Sequence, residues 1–388
     1  MLILTKIKNK QISNIMKNLK LIGFLMILAS SLMFIQCTSD PIMGPQGDQG
    51  IQGIQGDLGD QGIQGIEGVG VQECVACHSD QHRDPITAAY ASSRHATGSS
   101  WARGTSASCA QCHNNEGYID YLSGNFVDGD GVQSANPNGY AVSNPITCTG
   151  CHTDHRSFDF ENDGNDYAVR SNDPVKLVID PSVSIDFTNS ADLLGLSNAC
   201  ATCHQPRNSY PVPAGTDPIV ITSYRYGPHH GPQSTLFEGI MGANIAGSTG
   251  YPGAGGNGDS THRTASSCTA CHMGESADAA EGGHTWAPSE ETCLTCHTTV
   301  PAGVTGFAAD FQTLHDLLFN KKLIDADGYV LGDDGINRAG NSNPLTASVK
   351  DAQAIWNYKT LEEDKSEGVH NPKYAKALLK NSIEYLQQ

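Results

Sequence analysis

Six copies of one five-residue stretch, Cys-x-x-Cys-His, carry the chemistry of this chain. They are Cys74/Cys77/His78, Cys109/Cys112/His113, Cys148/Cys151/His152, Cys200/Cys203/His204, Cys268/Cys271/His272 and Cys293/Cys296/His297. Two thiols three residues apart lie on one face of a helical turn, where they can form thioethers with the two vinyl groups of one porphyrin. The His is four residues after the first Cys, so it shares that face and reaches the iron as an axial ligand. A lone Cys-x-x-Cys could instead be a redox dithiol or half of a zinc site. Neither chemistry requires His directly after the second Cys, and all six copies have it. The spacing predicts six covalent c-type haems, with twelve cysteines holding porphyrin and six histidines holding iron.

Each iron has a second axial position, and its occupant decides between an electron carrier and an open catalytic site. Nine histidines lie outside the motifs: His82, His95, His155, His229, His230, His262, His284, His315 and His370. Beyond the N-terminal apolar run the only methionines are Met43, Met241 and Met273, too few to cap six irons. The expected distal ligands are His95, His155, His230, His262, His284 and His370. His155 is too close to His152 to cap the same iron, so it is expected to serve a neighbouring one. His229 and His230 are adjacent within Gly227-Pro-His-His-Gly-Pro232, a turn stiffened by two prolines. One of them is expected to ligate and the other to meet a propionate or water; His230 is taken as the ligand, with the reverse order open. His82 and His315 are read as surface side chains, the latter on an apparent helix.

The elements that must position these groups are harder to see. The chain has 388 residues, but hydrophobic residues make up only 38% and aromatics 7%, which is thin for an ordinary core. Haem is therefore expected to be the core, in a mainly α fold with extensive irregular loops, few short strands and C-terminal helices. Helix-like apolar spacing falls at residues 308–320, 346–360 and 372–386, the last opening at Asn371-Pro372. The segments between motifs are unequal, which speaks for one irregular domain, residues 71–388, over a repeat array.

Ahead of that domain, residues 1–36 read as an export signal: Lys6, Lys8, Lys10, Lys17 and Lys20 without an acid, then an apolar run from Leu21 to Ile35. Export suits the motifs, since c-type haem is attached outside the cytoplasm. Cys37 is the one cysteine outside the motifs. It follows the apolar run where a lipoprotein signal places its acylated thiol, although Gln36 is larger than the residue usual there, and a leftover thiol is the alternative. Residues 37–70 read as a tether. Glycine recurs at every third position from Gly44 to Gly68, a collagen-like pattern compatible with a homotrimer or with a flexible spacer. Extended, it would span roughly 80 Å at about 3.1 Å per residue. The formal charge is −18, and more negative by five without residues 1–36. Such a surface repels nucleic acid and favours basic partners.

The tail brings a resemblance. Asp364-Lys-Ser-Glu-Gly-Val-His370-Asn-Pro-Lys-Tyr-Ala-Lys-Ala-Leu-Leu379 resembles the C-terminal segment of multihaem cytochromes c related to the pentahaem nitrite reductases, in which the His before Asn-Pro is an axial ligand. Cys148-Thr-Gly-Cys-His-Thr-Asp-His155 and the Pro-His-His-Gly-Pro stretch are similar to other cytochromes of that superfamily. The match covers the motifs and the tail, not the loops between. Those reductases bind their active-site haem through Cys-x-x-Cys-Lys, which does not occur here. The expected function is electron transfer in the periplasm, at the outer membrane or on the cell surface, between redox partner proteins or to an external acceptor. The alternative is a reductase of nitrite, hydroxylamine or sulfur oxyanions, with Tyr224, Arg225, Tyr226 and His229 as candidate catalytic residues. A trimeric or haem-stacked assembly is compatible with either.

Overall fold

In a computed structural model, residues 71–128, 132–155, 167–207, 210–252 and 260–388 are described. The expected signal, Cys37, Met43 and the glycine repeat lie outside the described residues. Residues 67–388 belong to one unit. It is helix-rich with few short strands, and no sheet is closed among the described residues.

The motif spacing does make helical turns, but not uniformly. Val71–His78, Ala107–His113 and Cys268–His272 are helical through the motif, and Cys148–Cys151 forms a single turn. The fourth and sixth copies depart from the expectation, because their helices, Leu196–Ala201 and Glu290–Leu294, end one residue past the first Cys. The rest of each copy stays coiled as a turn. His204 N donates to Cys200 O at 2.9 Å and His297 N to Cys293 O at 2.8 Å, the bond an α-helix would make. The thiols and imidazole thus keep a common face without a continuing helix.

Three long helices close the chain. Phe307–Asn320 follows Gly306, and Pro372–Leu386 opens as expected with proline in its first turn and the Asn371 side chain accepting from Tyr374 N at 3.0 Å. The middle helix, Val349–Asp364, corrects the expected start at residue 346. Leu345–Ala347 is a strand, paired antiparallel with Ile219–Ile221. Leu345 and Ala347 are buried and Thr346 is exposed, a period of two that ends at Ser348. Ser348 Oγ accepts from Asp351 N at 3.0 Å and starts the helix. Removing that cap in Ser348→Ala is expected to cost about 1 kcal/mol, read as a lower urea midpoint; an unchanged midpoint would show the cap to be idle.

The expectation that haem alone forms the core is also corrected. A continuous apolar cluster joins the three C-terminal helices to residues 221–245 and centres on Trp356, which is fully buried. Val349–Asp364 is buried nearly all round, polar Asn357, Lys359 and Thr360 included. A second, smaller cluster gathers Val175, Leu177, Ile185, Phe187 and Phe237. The scarcity foreseen from composition is concentrated elsewhere: between residues 74 and 155, the buried hydrophobic residues among those described are Ala110, Tyr118 and Ala135.

Candidate metal centres

Short elements place the histidines outside the motifs. His95 sits on a one-turn helix, Arg94–Thr97, whose buried N-cap Ser93 accepts from Ala96 N. His262 sits on Thr261–Ala265, capped by Ser260, and His284 on a tight turn, Gly283–Thr285. His370 fills the bend between the last two helices. His230 precedes Gly231, whose φ of +101° only glycine adopts readily, and a Cβ there would meet Cys203 O at 3.4 Å. The turn therefore brings His230 beside the fourth motif.

Each of five motif histidines faces a histidine from outside the motifs. Ring centroids are 6.1 Å apart for His78 and His155, 6.3 Å for His204 and His95, and 6.2 Å for His152 and His284. They are 6.3 Å apart for His272 and His370 and 6.2 Å for His297 and His262. For the sixth, His113, the neighbouring imidazoles are His230 and His229, whose own rings are 4.6 Å apart. The spacing is narrow and has a metrical meaning. Two imidazoles bonded to one metal through Nε2 on opposite sides, at roughly 2.0–2.1 Å and with each ring centre about 1.15 Å further on, would have centroids roughly 6.3–6.5 Å apart, close to the spacing seen.

The other ring nitrogen is held in six of these twelve positions. His152 Nδ1 lies 2.8 Å from Tyr167 O, His272 Nδ1 2.8 Å from Trp286 O and His262 Nδ1 2.6 Å from Val369 O. Carbonyls only accept, so these three Nδ1 atoms carry the proton and Nε2 is left with its lone pair. His370 Nδ1 lies 2.6 Å from Asp364 Oδ1 and His230 Nδ1 2.7 Å from Glu363 Oε2. His204 Nδ1 lies 3.3 Å from Gln233 Oε1, and that amide is oriented by Gln233 Nε2 donating to Glu363 O and Asp364 O. This is the outer-shell arrangement that fixes tautomer and ring direction in metal-ligating histidines.

No family model, curated protein or solved structure matches this chain.

The local electrostatics favour neutral imidazole. Burial, then repulsion from His204, lowers the His95 pKa to about 4. Burial likewise lowers His113, His204, His272 and His284. His370 and His230 are the exceptions: burial opposes the charge of each, but the Asp364 carboxylate raises the pKa of His370 and the bond to Glu363 raises that of His230. At Glu363 burial pushes upward and the bond from His230, with Lys365 and Lys359 nearby, brings the carboxyl below its ordinary range.

Among the described residues no three or more His, Cys, Asp or Glu side chains gather as a bare metal ion would require. The described centres are two-sided ring pairs with two thiols alongside, and the twelve motif cysteines are free. The polypeptide covers these cysteines unequally. Cys74 and Cys77 of the first motif, Cys148 of the third and Cys296 of the sixth are exposed, whereas the other eight are half-buried. The reason is local. Cys77 lies on Val71–His78 with Val75, Ala76 and His78 exposed around it, and Cys296 lies past the end of Glu290–Leu294, where Leu294, Thr295 and His297 are exposed too. Among the described residues, neither apolar cluster includes a residue of these two turns, whereas the second includes Ala201 of the fourth motif, with Cys268 of the fifth packed against it.

The motifs also touch one another. Cys112 neighbours Cys203, and Cys200 neighbours Cys268. Thr269 N of the fifth motif donates to Ser197 Oγ beside the fourth at 3.2 Å, and Thr292 Oγ1 beside the sixth donates to Ala270 O of the fifth at 3.1 Å. Trp286 lies 4.5 Å from the His95 ring and 5.4 Å from the His284 ring, linking the third and fourth centres.

The remaining singled-out residues have other surroundings. His82 is exposed on the helix Asp80–Ser92. His315 corrects the expectation of solvent exposure: its side chain is 18% exposed, parallel to the Phe319 ring and 5.8 Å from Tyr358. Tyr226 is core, packed on Trp356 and Tyr210. Tyr224 is flanked by Arg225, Arg338 and Tyr329. Met273 caps the fifth motif helix and Met241 O accepts from Trp356 Nε1 at 2.8 Å. Sequence reasoning missed Glu363, Gln233, Trp286 and the anchoring role of Asp364. A single Gln or Glu has no motif, and only the fold brings these to an imidazole.

Proposed function

We propose that residues 71–388 form a six-haem c-type electron carrier in which every iron is held between two imidazoles. The observation that carries this reading is the repeated separation of 6.1–6.3 Å between five motif histidines and five histidines outside the motifs. A two-sided ring pair is compatible with a macrocycle between its rings, and in every copy two thiols precede the motif histidine at the spacing that thioether attachment would use. Cys77 and Cys296 stay in the set, because a thioether needs a thiol within reach of a vinyl group and does not need that thiol buried. His230 is kept as partner of His113, because its Nδ1 is anchored as in five of the other ligand rings. When bound, the haems would supply one-electron chemistry, each iron alternating between ferric and ferrous.

The chain's own part is to align, anchor and connect. Contacts between motifs one and three through His152 and His155, three and four through Trp286, two and four, four and five, and five and six make one contiguous set. Two imidazoles favour the ferric state more than His and Met do, so low potentials are expected. The acidic surface favours a basic redox partner. On the sequence reading the carrier is exported, anchored through Cys37 and held off the membrane by the glycine-rich tether. Among the described residues no helix is long and apolar enough to cross a membrane.

The test is direct. The purified mature protein should be coloured, should exceed the bare chain in mass by six haems, and in the ferric state should give low-spin signals that nitrite and hydroxylamine leave unchanged. A colourless protein of bare-chain mass would overturn the proposal, and a large high-spin signal sensitive to nitrite would favour the reductase.

A further inference from the structure

Two adjacent acids end the helix Val349–Asp364, and each holds a different ring pair. Glu363 Oε2 accepts from His230 Nδ1 at 2.7 Å, and Asp364 Oδ1 accepts from His370 Nδ1 at 2.6 Å. Among the described residues, the acceptors seen at the other anchored rings are neutral: the carbonyls of Tyr167, Trp286 and Val369 and the side-chain amide of Gln233. We infer that Glu363 and Asp364 are potential-setting residues, which make the second and fifth centres the two of lowest reduction potential in the set. This rests on the six-haem reading and goes beyond it.

The physical argument has two parts. A carboxylate attracts the Nδ1 proton more strongly than a carbonyl does, which leaves more electron density on Nε2 and strengthens its bond to an oxidised metal. The full negative charge also favours the more positive oxidation state, and it acts with less screening where water is excluded. Asp364 is 1% exposed and is itself held by Ser366 Oγ, whereas the Glu363 side chain is 19% exposed. The effect is therefore larger at the fifth centre. The backbone joins the two, since Gln233 Nε2 spans Glu363 O and Asp364 O while its Oε1 faces His204 Nδ1. One helix end thus sets ring orientation at the second, fourth and fifth centres and charge at two of them.

The experiment compares full-length mature protein with Glu363→Gln and Asp364→Asn by redox titration, with haem counted by mass. The amides keep size and an acceptor oxygen but remove the charge. Six haems per chain, with one low-potential wave moving upward in Glu363→Gln and a different one moving further upward in Asp364→Asn, is the expected result. Six haems with no wave moved in Glu363→Gln, or all six moved together, would overturn this inference and leave the carrier reading intact. A parent protein without haem would overturn both. Should Asp364→Asn fail to accumulate, the half-buried Glu363→Gln decides alone.

Discussion

In His95→Ala, one of six ferric haems is expected to pass from low to high spin, and free imidazole added to the protein should reverse the change. His95 is the partner of His204 at 6.3 Å, and no other histidine outside the motifs is described within ring-pair distance of His204. Its helix is a single turn capped by Ser93, a bond between Ala96 N and the Ser93 side chain that the substitution leaves in place. The loss is therefore local, and an empty axial position is its main content. The fourth centre touches the second through Cys112 and Cys203, the fifth through Cys200 and Cys268, and the third through Trp286. A defect here interrupts the contiguous set at its most connected member, so stopped-flow reduction should show the slowest haems slowed further. A spectrum unchanged by the substitution would remove His95 from the ligand set.

Arg263→Ala is expected to destabilise the protein by about 3–5 kcal/mol, the cost of leaving a buried partner charge uncompensated. Arg263 is 1% exposed, ion-paired with Glu238, hydrogen-bonded to Asp186 O at 2.9 Å and to the Asn189 side chain, and stacked over Phe187 at 5.0 Å. The loss of packing adds to the electrostatic penalty, since the guanidinium covers an aromatic face. The double variant Arg263→Met/Glu238→Gln removes both charges and should recover most of the loss. Denaturant midpoints measure both. Because Arg263 follows His262, the single variant should also broaden the signal of the sixth centre. Equal instability in the single and double variants would show that packing, not charge pairing, holds this region.

The chemistry was more legible in the sequence than the architecture was. Local covalent constraints dictate Cys-x-x-Cys-His, so the motif is recognisable without the fold. The histidines outside the motifs were candidate partners by elimination, because two methionines are too few for six motifs. Which distal ring meets which motif was not legible, since His152 and His284, or His272 and His370, meet only through the tertiary fold. Nor does the motif reveal its own exposure: Cys77 and Cys112 hold the same place in identical spacings, yet the first is exposed and the second half-buried. The apolar tail was visible as helices, yet its strand Leu345–Ala347 was absorbed into a helix. Three residues cannot display a period of two against a neighbouring helical pattern. The Trp356 core was hidden by averaging, because a composition of 38% hydrophobic residues says nothing about their uneven distribution.

The ring pairs join remote stretches: His95 to His204, His152 to His284, His272 to His370. Once a metal bridges such a pair, it acts as a cross-link, and closing a loop of on the order of a hundred residues restricts the denatured chain by about 4–5 kcal/mol in the entropic model for disulfides. On the six-haem proposal, overlapping closures of this kind would make resistance to denaturant depend on ligation as well as on apolar burial, most of all between residues 74 and 155, where apolar burial is sparse.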